Sequence, residues 1–199
     1  LGARETAKRM KEAGYPAAKW VSAMLKNGVE SFYQYKGGEK VAVYDAVKGK
    51  YVKLKKLENV VMLRGTKVVS QNAGATLRDM GDGVACLEFH TKMNSLDEDV
   101  MNMTVETFDR LENFDGLVIG NEGENFSAGA NLFMMVVGAQ QGMWDMLDGA
   151  VRKLQDMNMR MRYSPKPIVV APAGLTLGGG CEITMHASRV VASAETYIG

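Results

Sequence analysis

The chain has 199 residues, 46% of them apolar, enough to bury a sizeable core in one domain or in one domain plus an appendage. Lys plus Arg (24) nearly equals Asp plus Glu (23), and a net charge of +1 leaves no case for a nucleic-acid stripe or a polybasic membrane face. Cys86 and Cys181 are the only cysteines, which reads as a reducing, cytoplasmic setting, and no run approaches the ~18 apolar residues of a membrane span. Residues 1–36 read as helical, in two stretches. The first, 3–13, is rich in the good helix formers Ala, Lys, Glu, Arg and Met and is punctuated by Gly14 and Pro16. The second runs from about Ala17 to Lys26 and stops at Asn27-Gly28. Two β-rich pieces, 41–44 and 51–53, suggest a hairpin, and the basic stretch 48–56 reads as a solvated surface or linker. Gly81-Asp82-Gly83 between the apolar runs 75–80 and 84–89 is a hairpin signal. Ser95-Leu96-Asp97-Glu98 fits a capping box with Ser95 as N-cap. The helix after it puts Val100, Thr104, Phe108 and Leu111 on one face. Residues 116–120, 168–171 and 189–193 read as strands, with a long Met-rich helix over about 140–162 and a short one ending near Ala187. The methionines read as packing, not as a metal or cofactor box. Alternating strands and helices make the class α/β with a largely parallel sheet.

Two glycine-containing turns carry the candidate chemistry. Asn125-Phe126-Ser127-Ala128-Gly129-Ala130-Asn131-Leu132 follows a buried strand and a polar turn and leads into an apolar helix. Leu177-Gly178-Gly179-Gly180-Cys181-Glu182-Ile183 also follows a buried strand and opens a helix. Small residues let backbone approach a ligand, and free N–H groups at a helix start suit developing negative charge. Two such turns, one after each of two strands of a sheet, could aim two amides at one oxygen, the requirement of an oxyanion hole. Each has a plainer reading alone: Gly178-Gly179-Gly180 as a tight strand-to-helix turn, Glu182 as a surface residue complementing the helix dipole. His90 and His186 are the only histidines. With no Gly-x-Ser-x-Gly elbow and no zinc-like spacing of His and Cys, neither a Ser/His/Asp hydrolase nor a metal site is supported. His186 lies four residues after Glu182, so it either neighbours the site or plays a packing role.

Taken as a pair, about fifty residues apart, the two turns resemble the double signature of the crotonase (enoyl-CoA hydratase/isomerase) superfamily. Leu87-Glu88-Phe89-His90-Thr91-Lys92-Met93-Asn94-Ser95-Leu96 is similar to that family's first strand and its apolar Asn-x-Leu turn. The resemblance covers about residues 73–199 and implies a crotonase-like ββα spiral, present as its N-terminal core portion and preceded by helices and a short hairpin. It implies that the amides of Ala130 and Gly179 polarise a thioester carbonyl. It also implies that Glu182 acts on the catalytic water, and that Ala128, Lys92 and Met93 lie near the adenine end of coenzyme A. The second family glutamate would fall about three residues past Gly199, and the helices that close the acyl site and build trimers would follow it. Leu1-Gly2-Ala3-Arg4-Glu5-Thr6, Trp20-Val21 and Gly28-Val29-Glu30-Ser31-Phe32-Tyr33 resemble the end of the dehydrogenase part of bacterial dehydrogenase/hydratase fusions.

The expected organisation is therefore 1–56, a dehydrogenase-type tail and linker, and 57–199, an acyl-CoA domain incomplete at its C-terminus. Both ends read as cut. The expected substrate is an acyl-CoA thioester, with coenzyme A entering as part of it. No Gly-x-Gly-x-x-Gly follows a strand, so NAD is assigned to a dehydrogenase region and not to this chain. The resemblance implies a homo-oligomer for the full-length protein. It implies hydration of a trans-2-enoyl-CoA, with double-bond isomerisation or an inactive CoA-binding fragment as alternatives.

Overall fold

The computed structural model describes residues 2–37, 39–55 and 60–199. It forms two compact units, Leu1–Gly65 and Thr66–Gly199. The boundary expected between residues 56 and 57 lies outside the described residues.

The first unit begins with two helices, α1 (Ala3–Glu12) and α2 (Lys19–Lys26). Gly14 (φ +83) and Gly28 (φ +75) end them in a conformation that L side chains rarely adopt. Three antiparallel strands follow in the order β1 (Tyr33–Lys36), β2 (Glu39–Asp45), β3 (Lys50–Lys53). The hairpin expected at 41–53 is thus present, but the helical reading of 1–36 is corrected at Tyr33–Lys36, which pairs with β2. Tyr33 and Tyr35 are β-favouring aromatics, and their pairing outweighs the helical pattern upstream. Asp45 Oδ1 accepts the Val47 and Lys48 amides, each at 2.9 Å, so the turn between β2 and β3 is closed by one carboxylate. The Lys48 amide leads in holding that carboxyl below its usual range.

The second unit is a six-stranded sheet with helices against it. Its strands are β4 (Lys67–Gln71), β5 (Ala75–Asp79), β6 (Val84–Phe89), β7 (Gly116–Gly120), β8 (Ile168–Ala171) and, later in the chain, β10 (Arg189–Val190). The order is β10-β8-β7-β6-β5-β4, antiparallel from β4 to β6 and parallel from β6 to β10. A two-stranded parallel sheet pairs β9 (Gly174–Thr176) with β11 (Thr196–Ile198). The helices are α3 (Glu98–Arg110), α4 (Leu132–Gln140), α5 (Trp144–Arg162) and α6 (Gly179–Met185).

Register aligns Leu77 with Leu87, Leu87 with Ile119, and Ile119 with Val170. All four are 0% exposed and form one apolar row across the sheet. Val100 and Met103 of α3, with Met157 and Met161 of α5, join the same core. The expected capping box is corrected. Asp97, not Ser95, is the N-cap, accepting the Val100 amide at 2.9 Å, while Ser95 Oγ donates to the Lys92 carbonyl. Leu96 N–H is bonded to the Gly129 carbonyl at 2.8 Å, so residue 96 is held outside the helix. The single helix expected at 140–162 begins at Trp144, and Gly142 (φ +70) separates it from α4.

Leu87→Ala should cost about 2–5 kcal/mol of stability, because a filled position in the central row is emptied. Urea unfolding checks this, and a loss below about 1 kcal/mol would place Leu87 outside the core. Cys86, on β6, is 2% exposed, and burial pushes its thiol up to about 12. At pH 8 the folded protein should leave Cys86 unalkylated by iodoacetamide, and peptide mass mapping should find modification there only after denaturation.

Candidate active site

The segment 126–130 is held along both edges. On one side Ser127 N–H donates to the Leu175 carbonyl at 3.0 Å, and Leu177 N–H donates to the Ser127 carbonyl at 2.9 Å. On the other side Ala128 N–H donates to the Met93 carbonyl at 3.1 Å, and Leu96 N–H to the Gly129 carbonyl at 2.8 Å. Three asparagines tie down the flanks. Asn121 Oδ1 accepts the Phe89 amide at 2.6 Å while its Nδ2 donates to the Phe126 carbonyl at 2.7 Å. Asn94 Nδ2 donates to the Asn125 carbonyl at 2.8 Å, and Asn125 Oδ1 accepts the Leu175 amide at 3.1 Å. Buried polar groups must be paired, so these asparagines take up backbone groups that strand ladders leave over.

Close packing at this junction requires the small residues. Gly129 has φ +85, and a Cβ on it would lie 2.8 Å from the Leu177 carbonyl oxygen and 3.3 Å from the Gly179 nitrogen. A Cβ on Gly180 would lie 2.8 Å from Ser127 Cβ, and one on Gly179 2.7 Å from Leu96 Cδ1. The two glycine turns singled out in the sequence are therefore in contact.

The sequence-identified residues fall as follows. Lys92 and Met93 form a turn on the exposed side of the segment, with Met93 at φ 58, and the Met93 carbonyl accepts the Ala128 amide at 3.1 Å. Ala130 pairs with Leu96 in an isolated parallel bridge and is half-buried. Gly179 is buried at the start of α6. The amides of Ala130 and Gly179 have no hydrogen-bond acceptor among the described residues, although the backbone on either side of each is bonded. Glu182 is half-buried one turn along α6 from Gly179, and its Oε2 accepts from Asn158 Nδ2 at 3.3 Å.

His186 does not present its ring to the Glu182 carboxylate. Its Nδ1 lies 2.7 Å from the Glu182 carbonyl oxygen, so Nδ1–H donates there and the ring closes the end of α6. His90 bonds Thr76 Oγ1 through Nε2 at 2.9 Å. Among the described residues no cluster of His, Cys, Asp and Glu could hold a metal ion.

A cleft of about 670 Å³ opens beside Ala130. Its apolar wall includes Leu96, Met134, Met135, Met146, Leu147 and Leu154, and Asp97, Asp99 and Lys153 also line it. Leu96 and Leu154 are the side chains nearest Gly179, so the apolar wall runs up to that amide. Sequence reasoning missed the cleft's four methionines (Met101, Met134, Met135, Met146) as lining residues: it read those of the 140–162 helix, Met146 among them, as packing and gave the other three no role. It also missed Asn158, whose spacing within α5 matches that of core methionines.

The sequence model of the family described as Enoyl-CoA hydratase/isomerase matches residues 83–199. A Bacillus subtilis (strain 168) protein named "Probable 3-hydroxyacyl-CoA dehydrogenase" is 38% identical over the whole chain, which spans 26% of that relative's length. A Rickettsia prowazekii (strain Madrid E) protein named "Putative fatty acid oxidation complex trifunctional enzyme" is 33% identical over 69% of the chain and 19% of its own length. Among solved structures, an enoyl-CoA hydratase from Thermoplasma volcanium matches with TM-score 0.56 at 23% identity, covering 64% of this chain and 51% of that one. Another from Shewanella pealeana matches at TM-score 0.53 and 26% identity, covering 59% and 46%. No helix among the described residues is long and apolar enough to cross a membrane.

Gly129→Ala should disrupt the site, because the new methyl meets the Leu177 carbonyl and must adopt a positive φ. A loss of about 1–3 kcal/mol in thermal or urea unfolding is expected, with faster amide exchange at Leu96 and Leu177. Unchanged exchange at both amides would show that the junction tolerates the methyl.

Proposed function

Because the chain belongs to the enoyl-CoA hydratase/isomerase family, we propose that its second unit is the hydratase region of a fatty-acid β-oxidation protein, adding water reversibly to a trans-2-enoyl-CoA. One observation carries this reading: two backbone amides with no acceptor among the described residues, Ala130 and Gly179, stand on touching turns with Glu182 one helical turn further on.

The chemistry follows from what hydration demands. Water is a poor nucleophile, and C3 of an enoyl thioester becomes electrophilic only as electron density moves to the thioester oxygen. Two N–H donors aimed at that oxygen stabilise the enolate more than the ground-state carbonyl, so they lower the barrier and not merely the binding energy. The Ala130 and Gly179 amides take this role. Glu182 accepts a hydrogen bond from the attacking water and draws off its proton as the oxygen bonds to C3. A proton is then delivered to C2 and the thioester carbonyl re-forms, so the net change is one water added across the double bond. A second acid shares the proton work.

The Met-walled cleft is the place for the acyl chain, since thioether side chains adapt to an irregular apolar ligand. Ala128, Lys92 and Met93, on the exposed side of the same segment, take the adenine end of coenzyme A. Coenzyme A enters as part of the substrate, and the chain calls for no nicotinamide. The relative named as a dehydrogenase aligns with the whole chain, so the first unit is read as the tail of a dehydrogenase-type region.

In the full-length protein, Glu182→Gln should lower crotonyl-CoA hydration by about 10²–10⁴-fold, followed as loss of the enoyl-thioester absorbance. A near-normal rate would remove Glu182 from the mechanism. Chromatography of the product separates a 3-hydroxyacyl thioester from an isomerised enoyl thioester, and the latter would replace hydration by double-bond migration. Calorimetric titration of the 199-residue chain with a CoA thioester should show binding. Silence there would remove Ala128, Lys92 and Met93 as sufficient contacts.

A further inference from the structure

Asn158 lies on the buried face of α5, between Met157 and Met161, and is 3% exposed. The two methionines are each 2% exposed, so the surroundings are core. Asn158 Nδ2 donates to Glu182 Oε2 at 3.3 Å, while Oδ1 is buried with no hydrogen-bond partner. It is the one buried side-chain polar atom among the described residues that is left so.

An unpartnered buried amide oxygen is destabilising, and an apolar residue of the same size would fill the site without it. An asparagine at this position therefore points to a role that packing does not require. The amide has one acceptor end and one donor end. Only the donor end can face an ionised carboxylate without repulsion, and this orientation leaves the oxygen turned away into the core. A donor at Oε2 restricts the rotation of the Glu182 carboxyl group. A general base is effective only when its oxygen is held within reach of the proton it takes.

We propose that Asn158 is a positioning residue that fixes the Glu182 carboxylate for its work on water. The assignment rests on the hydratase reading and adds to it a residue on a different helix, which no sequence motif contains. It acts through Glu182 and touches neither the thioester nor the cleft wall, so its loss falls on turnover and not on substrate binding.

The test is made in the full-length protein with crotonyl-CoA. Asn158→Leu should lower kcat about tenfold or more, leave KM within about twofold, and leave Tm equal or higher, because the orphan oxygen is gone. Asn158→Ala, which adds no bulk, is read the same way for kcat and KM should the leucine variant fail to fold. Adding Asn158→Leu to Glu182→Gln should cost less than about twofold more, since both changes act on one group. Unchanged kcat in both Asn158 variants overturns the assignment. So does a fall in kcat that arrives with a lower Tm and a raised KM, which marks a structural role. Fully multiplicative effects in the double variant overturn it as well. Turnover lost in Glu182→Gln but untouched at Asn158 sinks this assignment alone, whereas full turnover in Glu182→Gln, or none in the parent, sinks the hydratase reading with it.

Discussion

The candidate site depends on one segment, 126–130, being bonded on both of its edges by backbone from elsewhere in the chain. Residues 93–96 hold one edge and 175–177 the other. That arrangement is tightly packed: Ser127 is 0% exposed, and a Cβ on Gly129, Gly179 or Gly180 would meet an atom closer than an ordinary methyl contact. Backbone groups in such a place are paired almost without exception. That rule is what makes two amides with no acceptor among the described residues, those of Ala130 and Gly179, informative. Ala130 follows Gly129 in the chain, Gly179 N lies 3.3 Å from where a Gly129 Cβ would sit, and Ala130 lines the apolar cleft. A rigid frame with its remaining donors on one side is how a protein meets charge that appears only briefly during a reaction.

The sheet supplies that frame through a change of direction at β6. From β4 to β6 the pairing is antiparallel, and from β6 to β10 it is parallel. The parallel strands therefore deliver their carboxyl ends to one side, where the loops after β6 and β7 and the stretch after β8 meet. Binding sites of open α/β sheets form at such ends. Helices α3 and α5 cover the sheet with Val100, Met103, Met157 and Met161, while Leu132, Phe133 and Val136 of α4 remain exposed beside the cleft. Some methionines thus fill the core and others line the cleft, and the same flexible side chain suits both.

Much of this was legible in the sequence because local chemistry and tertiary demand agree. Asp82-Gly83 made the β5–β6 turn visible, with positive φ at Gly81, Asp82 and Gly83. Buried strands such as β7 and β8 stood out as short apolar runs between glycines or prolines. The paired glycine turns marked the site. The failures have equally physical causes. β4 is a largely polar edge strand with a register irregularity, so no alternation announced it. β1 is exposed along its length and is a strand only because β2 pairs with it. Ser95 and Asp97 both satisfy the local chemistry of an N-cap, and the choice between them is made by Leu96 bonding to Gly129, a contact no local window contains. Asn158 was invisible for the same reason. In sequence it is one polar residue in a helix, and only the packing of α5 against α6 brings it to Glu182.

The junction at 126–130 also has a history in time. The β5–β6 hairpin needs only neighbouring residues to meet, whereas Asn125 must find Leu175, fifty positions along the chain. Closing loops of that length costs entropy before any contact repays it, and non-local pairings slow folding for this reason. The core row carries the same cost where β8 joins it, since Ile119 pairs with Val170 across a similar length of chain. The candidate site is therefore tied to the slow, non-local half of the sheet and not to the local β5–β6 hairpin.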